Sequence, residues 1–166
     1  MKLIKVDPSR YQEYHSAVTE ASESCYKYTG GKMDISLERT KAYLDRIANS
    51  DSRRDYFMID NDKIIGEVVL NEMDDHACNI RIAIFNEKDQ NKGYGKLAMT
   101  QALRVGFKEL MLHRIELSVY DFNERGIQLY KKLGFVQEGL LRDAYKDENG
   151  YHNEIVMSML ETEFKG

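Results

Sequence analysis

The stretch Gln90-Asn91-Lys92-Gly93-Tyr94-Gly95 constrains this chain more than any other. It lies between a strand-like run, Ile80 to Phe85, and a helix-like run, Lys96 to Leu112. Glycine lets a backbone turn sharply without a side-chain clash. A turn that opens directly into a helix aims several free N–H groups, and the positive end of the helix dipole, at one point. Such a loop is a cradle for a pyrophosphate or a similar anion. With a further strand at Ile115 to Tyr120, it also dictates a right-handed crossover within a sheet.

The rest of the chain supplies the partners of that crossover. Leu3 to Val6 reads as a short strand, and Asp7-Pro8 as an N-cap followed by proline at the first helical position. Tyr11, Tyr14, Val18 and Ala21 continue one helix until Tyr28-Thr29-Gly30-Gly31 breaks it. Ser36 caps a second, with Leu37, Thr40, Leu44 and Ile47 at helical spacing. Strands at Tyr56 to Ile59 and Lys63 to Leu70 flank the turn Asp60-Asn61-Asp62, and another runs from His76 to Phe85. In it Ile80, Ile82 and Ile84 alternate with Asn79, Arg81 and Ala83. The helix after the glycine loop is apolar nearly all round, as expected of one buried against a sheet. A helix over Asn123 to Leu133 ends at Gly134, and strands Phe135 to Ala144 and Tyr151 to Leu160 join across Asp147-Glu148-Asn149-Gly150. The sum is a mixed α/β sheet of antiparallel hairpins with one crossover.

Composition narrows the class of partner. A chain of 166 residues with no linker or repeat reads as one domain over residues 1–166. A net charge of −4 gives no electrostatic case for nucleic acid or an anionic membrane surface. Cys25 and Cys78 form neither a disulfide framework nor a metal spacing, and the default compartment is a reducing cytoplasm. Met1-Lys2-Leu3-Ile4-Lys5 does not read as a signal peptide, and no apolar run approaches the length of a membrane span.

Gly93-x-Gly95-x-x-Ala98 on its own also fits a dinucleotide fingerprint, with Asp121 as the acid ending the next strand. The seven residues Asn86 to Lys92 between strand and glycine argue against it, because that fingerprint places its first glycine just after the strand. Asn123 to Phe135 separates the two readings. An asparagine opens a helix, Tyr130 follows seven residues later on the same face, and Gly134-Phe135 enters a strand. Together with Gln90-x-x-Gly93-x-Gly95, this constellation resembles the GNAT superfamily of N-acetyltransferases. Over about residues 54 to 160 it looks most like the branch of bacterial ribosomal-protein N-terminal and polyamine acetyltransferases. Arg142 to Met159 is similar to that branch's closing hairpin.

The resemblance implies a GNAT-like α/β (α+β) fold: a mixed, mostly antiparallel sheet of about seven strands flanked by about four helices. It implies acetyl-CoA as co-substrate, no metal, and direct attack on the thioester by a primary amine, either a peptide N-terminus or a small amine such as a polyamine. Gln90, Asn91, Lys92, Gly93, Tyr94, Gly95 and Lys96 would hold the pyrophosphate, and main-chain groups of Ile82, Ala83 and Ile84 the pantetheine arm. Asn123 would hydrogen-bond that arm while also capping its helix. Tyr130 would contact the donor and act as general acid: a phenol of pKa about 10 is protonated at pH 7 and can serve a departing thiolate whose thiol pKa is about 8.5. Dimers are common in the family, so a homodimer belongs to the expectation.

The pattern departs in two places. Many relatives carry a glutamate where this chain has Asn79, and asparagine cannot take a proton. Either another acid substitutes or a water chain does the work: Glu67, on the face of Val69 and Asn71, is the first candidate for the base, or else the partner of a cross-strand ion pair with Arg81, and Glu116 is another candidate. Gly126 stands where relatives usually have alanine, which should cost helix stability rather than function. Acceptor contacts are expected from Tyr26 to Asp34, from acids such as Glu23 and Asp34, and from Arg142, Tyr145 and Tyr151. The rival from another class is a silent acyl-CoA-binding protein that keeps the glycine loop and lacks turnover.

Overall fold

The computed structural model describes residues 1–29 and 35–166. Seven strands form one sheet in the order β1-β2-β3-β4-β5-β7-β6. They are β1 (Lys2–Lys5), β2 (Arg54–Asp60), β3 (Lys63–Asn71), β4 (Ala77–Ile84), β5 (Arg114–Tyr120), β6 (Val136–Asp147) and β7 (Gly150–Leu160). Every neighbouring pair is antiparallel except β4 and β5. Parallel neighbours need a crossover, and the glycine loop with helix α4 (Tyr94–Arg104) provides it. This is the mixed, mostly antiparallel sheet that the sequence pattern implies.

Strand β2 shows how the sheet is covered on both faces. Successive side chains point to opposite sides. Phe57 and Ile59 enter a core with Tyr14 and Val18 of helix α1 (Tyr11–Thr19) and Leu44 and Ile47 of helix α3 (Leu37–Ala48). Met58 enters the opposite core, with Ala98, Met99, Ala102 and Leu103 of α4. Full burial of a Leu, Met or Phe side chain contributes about 1.5–3 kcal/mol, so α4 is anchored by Met99 and Leu103. Its outer side, with Lys96, Leu97 and Arg104, is exposed; the helix is one-sided rather than apolar all round.

Three local features differ from the expectation. The first helical region is not one helix. A 3-10 turn (Pro8–Arg10) leads into α1, and a separate helix α2 follows (Glu23–Thr29). The break is held by distant partners: the Ser22 N–H donates to the Phe85 carbonyl at 2.8 Å, and the Tyr26 hydroxyl donates to the Val18 and Thr19 carbonyls at 2.8 and 2.9 Å. With α5 (Glu124–Leu133) there are five α-helices among the described residues. The run after the glycine loop leaves α geometry at Arg104 and passes through one π-turn, Val105–Glu109. There Gly106 packs so tightly that an added Cβ would stand 2.5 Å from Ile115 Cδ1. The closing hairpin turns on Glu148 and Asn149, with Gly150 (φ 122°) as the first residue of β7.

The β4–β5 pairing positions the site. Its ladder has only three pairs, Ala77–Arg114, Cys78–Ile115 and Asn79–Glu116. β4 then continues to Ile84 with β3 on one edge and, among the described residues, no strand on the other. The two strands part, and the opening lies under the glycine loop.

Candidate active site

A cavity of about 240 Å³ occupies the opening. Ile82, Ala83 and Ile84 of β4 form one wall, and backbone groups on their unpaired edge face a space with no strand to bond. Gln90, Asn91, Gly93, Tyr94, Gly95 and Lys96 form the end of the cavity. Asn91 (φ 59°) and Gly93 (φ 78°) take left-handed conformations, and Gly93 caps α4 with no side-chain hydrogen bond. The first N–H groups of α4 therefore lack an intrahelical partner and converge on the cavity. A Cβ at Gly93 would meet nothing within 4 Å among the described residues, so glycine is favoured there for its conformation. Gly95 is helical and makes room in the cavity it lines. The Lys92 side chain does not line this space; its Nζ is paired with Asp89 at 3.0 Å.

Helix α5 provides the facing wall through Asn123, Gly126, Leu129 and Tyr130. Asn123 is the N-cap, its Oδ1 accepting from the Gly126 N–H at 3.0 Å. A Cβ on residue 126 would stand 2.8 Å from Asn123 Nδ2, so Gly126 leaves the asparagine side chain its place. Its absence of a side chain thus bears on the site as well as on helix stability. Arg125 also lines the cavity and donates to Gln90 Oε1 at 2.8 Å. That bond links the start of α5 to the glycine loop across 35 residues and places a cation beside the anion cradle.

Tyr130 lies where this cavity meets a larger one of about 640 Å³, together with Ala83, Asn123, Tyr28, Thr29 and Cys25. Its ring stands edge-on to Phe135, and burial pushes the phenol up to about 12. Cys25 lies at the same junction, but burial raises its thiol to about 11, and Cys78 to about 12. Both remain protonated near neutrality, poorly suited to nucleophilic attack.

The larger cavity carries most of the charge. Glu67, Glu72 and Glu154 line it from β3, its end and β7, with Arg53 and Arg81 as cations. Asp55 holds Arg53 by two hydrogen bonds of 2.6 and 2.7 Å. Glu67 does not form the ion pair with Arg81; its Oε2 accepts from the Tyr14 hydroxyl at 2.8 Å. Burial pushes the Glu67 carboxyl above the ordinary glutamate value, opposed chiefly by that hydrogen bond. Asn79 also lines this cavity, opposite Asn71, whose Oδ1 is buried without a hydrogen-bond partner among the described residues. Glu116 lies outside it and is held by Arg114 at 2.9 Å.

The expected acceptor contacts are redistributed. Tyr26, Tyr28 and Thr29 line the larger cavity, Glu23 does not, and Asp34 lies outside the described residues. Arg142 and Tyr151 do not line it, and Tyr151 is 62% exposed with Lys146 over its ring. Tyr145 supports it indirectly, stacked at 4.5 Å on the lining residue Tyr120. The sequence reading missed Arg125, Glu72 and Glu154. Only the cross-strand position of Glu154 opposite Tyr120 brings it here, and no local motif encodes that. Among the described residues, Asp74, Asp75 and His76 form an exposed group with ligand atoms within 4.8 Å, but Asp74 already accepts from the His76 and Ala77 N–H groups.

Comparison with known proteins places the chain in a family. Residues 1–136 match the family model described as acetyltransferase (GNAT) domain. The chain is 30% identical to the uncharacterized N-acetyltransferase YnaD of Bacillus subtilis (strain 168), over 76% of this chain and 75% of that one. It is 36% identical to the SPbeta prophage-derived N-acetyltransferase YokL of the same organism over 51% of this chain, and spans about half of YokL's length (47%). It is 27% identical to the spermidine N(1)-acetyltransferase of Vibrio cholerae over 78% of this chain and 76% of that one. Among solved structures, spermidine N-acetyltransferase from Vibrio cholerae in complex with CoA and spermine has a TM-score of 0.87, covering 99% of this chain and 98% of that one at 23% identity. That last likeness is one of fold. Among the described residues no helix is long and apolar enough to cross a membrane.

Proposed function

Because the chain belongs to the GNAT acetyltransferase family, we propose that it transfers an acetyl group from acetyl-CoA to the primary amine of a small cationic acceptor of the polyamine kind. The observation that carries this reading is the junction of two unlike cavities at Tyr130 and Asn123. The smaller suits acetyl-CoA: a helix N-terminus with no side-chain cap and Arg125 for the pyrophosphate, the free β4 edge and Asn123 for the amide-bearing arm. The larger, with its three glutamates, suits a cation. The names of the spermidine acetyltransferases among its relatives support the same acceptor class.

When bound, acetyl-CoA supplies an activated acyl thioester. The chain's part is proton management. At pH 7, deprotonating an alkyl ammonium of pKa about 10.4 costs about 4.6 kcal/mol, against about 1.4 for an α-ammonium of pKa about 8. Glu67 takes that proton, and its raised affinity for protons matches it to the task. The neutral amine nitrogen bonds to the acyl carbon as the carbon–sulfur bond breaks. Tyr130 gives its proton to the leaving sulfur and regains one from the nitrogen, by way of water. The net products are the amide, the free thiol and one proton, released from Glu67. Burial that makes Tyr130 a weaker acid also disfavours a bare thiolate beside it, so the two effects oppose.

The test is thiol release from acetyl-CoA across a panel of diamines, polyamines, monoamines and peptides with free N-termini. Turnover with the di- and polyamines is the expected result. Turnover with peptides alone would replace the acceptor class, and CoA binding without turnover on any amine would favour the silent binder. Loss of Val136, Leu140 and Leu141 from solvent would accompany a homodimer paired through the edge strand β6, where these residues are exposed; sedimentation of the wild type against Leu141→Lys tests that arrangement.

A further inference from the structure

We infer that Tyr14 is a positioning residue for the reaction, its hydroxyl fixing one oxygen of Glu67 so that the other is presented to the acceptor cavity. The inference rests on Glu67 being the general base, as proposed above. Tyr14 is 2% exposed, and its ring is packed against Phe57 and Phe85 at centroid distances of 5.3 and 6.2 Å. A phenol locked in this way can point its hydroxyl in few directions, and it donates to Glu67 Oε2 at 2.8 Å. Oε1 has no hydrogen-bond partner among the described residues, yet it is not one of the buried unpaired atoms. It is the oxygen left to work. Glu67 pairs across the β3–β4 ladder with Ala83, which lines both cavities. The held carboxylate thus stands level with the junction.

The other groups facing Glu67 do not replace this contact. Cys25 approaches from α2, Tyr43 from α3, Asp55 from β2, Arg53 from the segment before it and Arg81 from β4. Arg53 is bound by Asp55, whose own charge opposes it, and Arg81 is exposed and makes no hydrogen bond to Glu67. Tyr14 is therefore the single direct partner of the carboxylate among the described residues. A donor bonded to a carboxylate favours the ionised form over the protonated one. Glu67 has to be ionised to accept a proton, so activity falls as pH drops through its titration. Removing the hydroxyl lets burial act unopposed at this contact, and the fall moves to higher pH.

The experiment is the pH profile of kcat at saturating acetyl-CoA and amine, for the wild type, Tyr14→Phe, Glu67→Gln and a chain with 3,5-difluorotyrosine at position 14. Tyr14→Phe keeps the packed ring. Its acid limb should move up by about one pH unit, the size expected for one hydrogen bond to a charged group, and its plateau should fall because the carboxylate is no longer held in one orientation. The fluorinated phenol is a stronger donor and should move the limb the other way, which keeps the test open if Tyr14→Phe folds poorly. A uniform loss in Tyr14→Phe with an unmoved limb, or a limb indifferent to fluorination, would overturn the positioning role. Full activity and an unchanged limb in Glu67→Gln would instead overturn the base assignment on which it rests.

Discussion

The smaller cavity, proposed for the acyl donor, and the larger one, proposed for the acceptor, share Tyr130 and Asn123, yet they are built from different materials. The donor side is mostly main chain: the free edge of β4, the left-handed turn at Asn91 and Gly93, and the open N-terminus of α4. The acceptor side is mostly side chain, assembled from Tyr14 on α1, Tyr43 on α3, Glu67 on β3, Arg81 on β4 and Glu154 on β7. A backbone site suits a ligand held in common across a family, because its geometry survives substitution of the outward residues. A side-chain site can be re-specified one residue at a time. On this reading the constant half of the reaction lies in the backbone and the variable half in the charges.

The junction should be the most sensitive point. Tyr130→Phe is expected to lower kcat by about 10²–10⁴, the usual range for a general acid, while acetyl-CoA binding followed by calorimetry stays within about threefold. A rate unchanged by that substitution would remove Tyr130 from the chemistry and leave it as packing against Phe135.

Next comes a pair of substitutions that separates conformation from space within the donor cleft. Gly95→Ala puts a methyl group into the cavity from a helical position, so the Kd for acetyl-CoA should rise at least about tenfold while thermal stability holds or improves. Gly93→Ala meets no atom within 4 Å but sits at φ 78°, so it should cost about 1–2 kcal/mol of stability in a denaturant titration. If both variants behaved alike, the division between a cradle shaped by backbone and one shaped by free volume would be wrong.

The acceptor side should respond to charge. Glu154→Gln is expected to raise the KM for a diamine several-fold, about 1 kcal/mol for one partly solvated charge contact, with little effect on a monoamine and none on acetyl-CoA binding. An equal change for both amines would mean that Glu154 does not read the second cation. The smallest effect belongs to Gly126→Ala. Helix propensity favours alanine by about 1 kcal/mol, but the new Cβ presses on Asn123, so melting should change little while the KM for acetyl-CoA rises. A gain in stability without any change in KM would show that Asn123 has room to move.

What was legible in the sequence follows the same division. The glycine turn, the Asn123 cap and the Gly134 stop are local signals, carried by residues a few positions apart, and the structure has all three. The alternation in β2 to β4 and the crossover could be read for the same reason. The break between α1 and α2 could not, because its cause is a bond from Ser22 to Phe85, 63 residues away. Lys92 reads as one more cation beside a phosphate until Asp89 is seen to hold it. Arg125 was overlooked because its relation to the loop is a contact with Gln90, and Tyr14 because a core tyrosine and a partner of Glu67 have the same signature in a helix. Charge partners depend on the closed fold, whereas turns and caps depend on the chain beside them.

The three-rung join of β4 to β5 has a mechanical meaning. A sheet is stiff across its strands because every rung is made, and here the seam runs for three rungs and then stops, like a zip left partly open. The loose side of that seam is a strand edge inside the molecule, satisfied by solvent when nothing lies along it. An amide-bearing arm laid in the gap would add rungs and lengthen the seam. Amide hydrogen exchange at Ile82 to Ile84 would then report occupancy directly, slowing as the seam closes and recovering when the thiol product leaves.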